Sequence, residues 1–197
     1  FSILILSLQI NFLSHCYSQN FTFKNNLKRD AISFTKVKNL VIIPIMINGM
    51  GPYNFLLDTG VGPFIITDPA LIKNFNTDGL RPFKINGVGG GDEIDVLLAN
   101  NVNVEVGAAA MNNIPTVILK EEIFNFSDYL GVKVHGIIGY YFFNSFVVKI
   151  NYQTKRLVFE KPGVTKKFKG TKLNLEFFDE KPYINTKVTT SNLGEIN

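Results

Sequence analysis

Asn54-Phe55-Leu56-Leu57-Asp58-Thr59-Gly60 is the stretch on which the reading of this chain turns. Its apolar residues restart a strand. The carboxylate that follows, with Thr59 and Gly60 behind it, ends that strand in a tight turn that presents Asp58 to a cleft. Working outward, residues 39–48 are a second strand candidate, β-branched and short enough to favour sheet over helix. Gly49, Gly51 and Pro52 punctuate the connection between the two as a hairpin requires. On the far side Ile65, Ile66 and Thr67 give a further short strand. Residues 68–74 then read as a capped helical turn, with Pro69 at its first position.

The pattern returns to strands at residues 83–85, 93–98, 102–106 and 112–119, with the glycine-rich Gly87, Val88, Gly89, Gly90 and Gly91 between the first two. A hairpin fits there. Residues 129–135 lead into the apolar Gly136-Ile137-Ile138-Gly139, residues 140–146 form a short helix, and residues 147–159 alternate about a polar turn as a closing hairpin does. A chain of 197 residues that is 46% hydrophobic has enough apolar material for a buried core. That material is rich in Ile, Val and Phe and divided by Gly, Asn and Pro, so the fold class is mainly β.

The net charge of +4 is spread along the chain apart from a lysine-rich stretch at residues 161–172. No aromatic or Gly-Arg interleaving accompanies those lysines, which argues against a nucleic-acid partner and for a solvated connector. Residues 1–14 are apolar, too short to span a bilayer, and followed by polar Ser18, Gln19 and Asn20. They read as part of a secretory signal peptide covering residues 1–18, with Cys16 and Ser18 suited to cleavage before Gln19. Export to the periplasm or the extracellular space follows, and Leu13-Ser14-His15-Cys16 raises the alternative of a lipid anchor on Cys16. Cys16 is the single cysteine, so the remaining chain forms no internal disulfide and has no thiol nucleophile. No other apolar run is long enough for a transmembrane segment.

The framed Asp58-Thr59-Gly60, the later glycine run and the Gly136-Ile137-Ile138-Gly139 segment, in that order, resemble the retropepsin-like aspartic peptidases, and the bacterial exported type among them. The resemblance covers residues 36–162. It implies a closed antiparallel β-barrel lobe of the acid-protease type, with one or two short helices. In such a lobe Asp58 is the catalytic carboxylate, supported by Thr59 and Gly60, while Ile137, Ile138 and Gly139 cross behind the catalytic loop. Gly87, Val88, Gly89, Gly90 and Gly91 would form a flap over the substrate. After the tripeptide the family has Ala or Ser, whereas this chain has Val61, so no hydroxyl is available there to bond the carboxylate.

The resemblance also implies the chemistry. Two carboxylates share one proton about a water molecule. At roughly 3 Å and an effective dielectric near 20, two full charges repel by about 5 kcal/mol, so one remains protonated while the other acts as base. No second Asp of this chain lies in an apolar-Asp-Thr/Ser-Gly setting. The second carboxylate is therefore expected from a partner lobe, either further along the same polypeptide or in a homodimer. The substrate is expected to be a peptide or protein, with no metal and no cofactor.

Other constellations are poor. His15 lies in the signal segment and His135 stands alone, so neither a metal site nor a Ser/His/Asp triad is assembled. Glu121-Glu122 reads as a solvated helix start, and the glycine run lacks the Lys-Ser/Thr ending of a phosphate loop. By organisation, residues 19–35 read as a loosely held leader and residues 163–197 as the start of a second lobe. Within the latter, residues 181–188 and 191–194 loosely repeat the strand and turn before Asp58, so a further apolar strand bearing an Asp is expected beyond Asn197. The alternative function is an exported binding module that keeps the fold without hydrolysis.

Overall fold

Short β-branched runs broken by Gly, Asn and Pro fold as short strands because each break forces a turn before a longer element can form. The computed structural model describes residues 20–75, 79–86, 93–165, 169–178, 180–190 and 194–196. Its strands are β1 (Thr22–Phe23), β2 (Arg29–Ser33), β3 (Thr35–Val37), β4 (Leu40–Ile47), β5 (Met50–Leu57), β6 (Phe64–Ile66), β7 (Arg81–Asn86), β8 (Glu93–Val106) and β9 (Ala109–Leu119). They continue with β10 (Gly136–Ile138), β11 (Val147–Asn151), β12 (Arg156–Glu160), β13 (Glu176–Phe178), β14 (Lys181–Tyr183), β15 (Val188–Thr190) and β16 (Gly194–Ile196). Two short α-helices, α1 (Phe126–Leu130) and α2 (Tyr140–Ser145), flank β10. The chain is mainly β, and the helix expected at residues 140–146 is α2.

The main sheet runs β1-β9-β6-β10-β5-β4-β8-β7, with β3 on β4 and a further pairing of β8 with β9. The pairings from β9 through β6, β10, β5, β4 and β8 thus return to β9 as a ring. They are not all antiparallel as expected: β10 runs parallel to β5, and β6 parallel to β9. The cause is topological. Strand β10 inserts between β5 and β6, which run in opposite directions, and must be parallel to one of them.

The interior is filled by Ile43, Ile45, Phe55, Phe64, Ile66, Val104, Ile118 and Ile138, all essentially inaccessible to solvent. The rings of Phe55 and Phe64 stack 4.8 Å apart. Their burial fixes β5 and β6, the strands on either side of the Asp58 turn, against one core.

The segment read as a loosely held leader is built into the fold where it is described. Strand β1 pairs with β9, and β2 adds to the β11–β12 hairpin with Ile32 opposite Leu157. The reason is a two-residue alternation: Phe21 and Phe23 are buried on either side of exposed Thr22. Phe23 stacks on Phe159 at 5.6 Å, and Phe21 meets Phe142 of α2 edge-on at 5.7 Å. The Asp30 carboxylate accepts the N–H groups of Ala31 and Ala108 at 2.7 Å each. The β11–β12 hairpin itself has the expected polar turn, where the Asn151 side chain accepts from the N–H groups of Gln153 and Thr154. Glu121 and Glu122 do not open a helix; α1 begins only at Phe126.

Past residue 163 the described strands form two separate hairpins, β13–β14 and β15–β16. Leu173, Leu175, Phe177 and Phe178 there are exposed. Because Phe23 joins the leader to the core, Phe23→Ala should lower the unfolding free energy by about 3 kcal/mol or more. Denaturant unfolding measures this, and unchanged stability would mean that the segment does not pack.

Candidate active site

Asp58 is the first residue past β5, and its position follows from the strand beside it. Strands β5 and β10 run parallel with Ile138 opposite Leu57, so the residues that follow, Asp58 and Gly139, emerge side by side at the same end of the sheet. The backbone N–H of Asp58 donates to the Ile138 carbonyl at 3.0 Å. The next tie comes from α2, whose first N–H, on Tyr140, donates to the Val61 carbonyl at 2.8 Å. Gly139 is a glycine for a steric reason, since a Cβ there would fall on the carbonyl oxygens of both Asp58 and Val61. Gly136 is confined in the same way by the Ile65 carbonyl and the Phe55 ring.

Within the turn, the N–H of Gly60 donates to Asp58 Oδ1 at 2.8 Å, which orients the carboxylate. A Cβ on Gly60 would stand 3.3 Å from that oxygen. The Asp58 side chain is exposed, and Thr59 beside it lines a cavity shared with α2. Ile137 and Ile138 are buried directly behind the loop. Val61 does more than stand where a hydroxyl might have been: it packs with Val37, Leu40, Ile65, Phe126 and Val132 against the apolar cluster around Ile42, Leu56 and Ile137. Asp58, Thr59, Gly60, Ile137, Ile138 and Gly139 are thus brought together. Gly87, Val88, Gly89, Gly90 and Gly91 lie outside the described residues; the strands that flank them, β7 and β8, pair up to Asn86 opposite Glu93.

The other end of β10 is held by a polar network that the sequence did not disclose. His135, just before β10, donates its N–H to the Asn54 carbonyl, and its own carbonyl accepts from Thr67 and Asp68. Its Nδ1 accepts the N–H of Asn54 at 3.1 Å, while the Asn54 amide donates to the Lys133 carbonyl at 2.9 Å. Nδ1 must therefore be unprotonated, which agrees with burial holding the imidazole pKa below its ordinary value. Asp68 is buried, receives the Ala70 N–H as the cap of the following 3-10 turn at Pro69–Asn74, and pairs with Lys133 at 2.9 Å. Burial alone would raise its pKa. The Lys133 bond, the Ala70 N–H and the Lys133 charge outweigh that and hold it below the usual carboxylate value.

Among the described residues no group of three or more His, Cys, Asp or Glu side chains could hold a metal ion, and no helix is long and apolar enough to cross a membrane. A family model described as aspartyl protease matches residues 43–142, half of the chain, and takes in both Asp58 and Gly139. Among solved structures the chain is similar to a retropepsin-like aspartic protease from Rickettsia conorii, at 14% identity and a TM-score of 0.48. That match covers 72% of this chain and 96% of the other. No curated protein matches it.

Two outcomes follow from this geometry. Gly139→Ala must displace the Asp58 loop or β10, so thermal unfolding should show a loss of about 1–3 kcal/mol; an unchanged midpoint would mean that the two backbones are not in contact. Asp68→Asn should cost about 1–2 kcal/mol at neutral pH. Because the folded pKa of Asp68 is depressed, its contribution is complete above the ordinary carboxylate value and fades as pH falls through the depressed one. The stability gap between wild type and Asp68→Asn, followed by urea unfolding from pH 7 to pH 2, should therefore close at the acid end. A gap that is constant with pH would rule out the ion pair as its source.

Proposed function

Since this chain belongs to the aspartyl protease family, we propose that it supplies one lobe of an aspartic-type endopeptidase of the retropepsin-like type, with Asp58 as its catalytic carboxylate. The observation that carries the reading is the clamp on the Asp58 turn. The backbone of that residue is tied to Ile138, its side chain is oriented by the Gly60 N–H, and the loop rests on a glycine that admits no side chain. A carboxylate held in this way on rigid strands is preorganised for proton transfer. The ring of strand pairings supports the barrel-type lobe expected from the sequence.

The chemistry needs a second carboxylate facing the first across a water molecule. The ionised member of the pair removes a proton from the water as its oxygen attacks the peptide carbonyl, and the protonated member donates to the carbonyl oxygen. The resulting tetrahedral species collapses with protonation of the leaving amine. One lobe brings one Asp, so the partner comes either from a second lobe in the same polypeptide or from a second copy of the chain. No cofactor takes part. Export to the periplasm or the extracellular space, read from residues 1–18, belongs to the same proposal.

In the complete enzyme Asp58→Asn should reduce peptide hydrolysis by several orders of magnitude and leave folding and peptide affinity largely intact. Asn keeps the shape and still accepts the Gly60 N–H, but it can neither take the water's proton nor share one with a partner Asp. Wild-type activity should rise and fall with pH, because only the singly protonated pair is competent. Both proteins can be compared across pH on a mixed peptide library. Undiminished cleavage by the variant would place the chemistry elsewhere, and cleavage by neither protein would favour the binding module.

A further inference from the structure

Beside the Asp58 turn, between α2 and the β13–β14 hairpin, lies a cavity of about 540 Å³. Thr59, the neighbour of Asp58, forms one end of it. Tyr140 and Phe143 of α2 make one wall, and Leu175, Phe177 and Pro182 make the other. Asn144 of α2 adds a polar group, and among the described residues the one charged side chain that lines the cavity is that of Glu180, which follows β13 and precedes β14. Its backbone is left-handed, with φ of 62°, and its carboxylate comes down on the catalytic loop, where a Cβ on Gly62 would stand 2.8 Å from Oε2. Gly62 thus admits the carboxylate to that place. The ion pairs Lys24–Glu105, Arg29–Glu160, Lys84–Glu93 and Lys133–Asp68 all lie elsewhere.

A largely apolar and aromatic slot with a carboxylate at its edge matches a long side chain whose stem is methylene and whose tip is cationic. The stem lies along the apolar walls, the rings of Tyr140 and Phe143 offer cation–π faces, and the carboxylate accepts a charge-assisted hydrogen bond. We infer that this cavity is a side-chain pocket for a lysine or arginine of the bound peptide, with Glu180 as its specificity-determining residue. The inference rests on the peptidase reading for its place next to Asp58, but the recognition itself needs no hydrolysis. A general attraction for cations is not the source, because the chain as a whole carries a net charge of +4 and repels them at long range.

The test uses the intact chain, assembled with its partner lobe or second copy, and hydroxyethylene-isostere peptides in which one position at a time is Lys, Arg or norleucine. Binding is followed by calorimetry. At one position Lys and Arg should bind about tenfold more tightly than norleucine, the worth of one charge-assisted hydrogen bond. That advantage should vanish in Glu180→Gln, reverse in Glu180→Lys, and shrink as salt is raised. Glu180 is exposed at a hairpin turn, so both variants should keep the wild-type melting temperature. The inference is overturned if no position prefers a cation, if the preference survives in Glu180→Gln, or if no peptide binds at all. Cleavable versions of the same peptides separate it from the proposed function. Selective binding without any cleavage counts against the peptidase and leaves the pocket standing, whereas cleavage without a basic preference does the reverse.

Discussion

The parallel pairing of β5 with β10 is the constraint on which the rest of the site depends. Because the two strands run the same way and in one register, both chains leave the sheet at the same end. There the N–H of Asp58 finds the Ile138 carbonyl at 3.0 Å. A shift by one residue would turn every side chain of the three-residue strand to its opposite face. It would also put Ile138, with its branched side chain, where only a glycine fits between the Asp58 and Val61 carbonyls. The apolar residues Ile137 and Ile138 fill the space behind the loop and so select the register that delivers Gly139 to its place.

A short strand cannot hold such a register by its own ladder, and here both of its ends are fastened. At the exit, Tyr140 of α2 bonds the Val61 carbonyl, while Phe142 and Phe146 of the same region pack on Phe159 in the aromatic cluster. At the entrance, His135 joins Asn54 of β5 to Thr67 and Asp68 beyond β6, with Lys133 neutralising Asp68. The polar network costs desolvation, which Asp68 recovers through its full set of partners. Its return is geometric: three strands that approach from different parts of the chain meet at fixed heights, and the Asp58 turn inherits that precision.

Much of this was legible in the sequence, and what was not has physical causes. Asp58-Thr59-Gly60 at the end of an apolar strand and Gly136-Ile137-Ile138-Gly139 are local patterns whose residue types admit few structures, so their meeting could be anticipated. The parallel direction of β10 was hidden, because strand direction is a property of the whole topology and leaves no mark on three residues. The packing of residues 21–33 was hard to read because Lys24, Lys28, Arg29 and Asp30 interrupt the apolar pattern, and the short alternation of Phe21 and Phe23 is the signal that could have revealed it. His135 looked isolated because its partners, Asn54 and Asp68, lie far away in the chain and act through the backbone as much as through side chains. Glu180 had no legible role at all, since the glycine that admits it, Gly62, belongs to a turn read for its other end.

What the lobe achieves is placement rather than reactivity. Asp58 is exposed, and its carboxylate accepts one backbone N–H, from Gly60. In the proposed peptidase the property that matters for hydrolysis, one proton held between two carboxylates, would belong to a pair and would need a second lobe to bring its own Asp within a few ångströms. The rigidity of the β5–β10 junction then has a specific purpose. Two carboxylates repel, and a loop free to relax would move apart until each ionised independently. Backbone ties at Ile138 and Val61, closed over a glycine with no spare volume, oppose that relaxation, as the proposed shared proton would require.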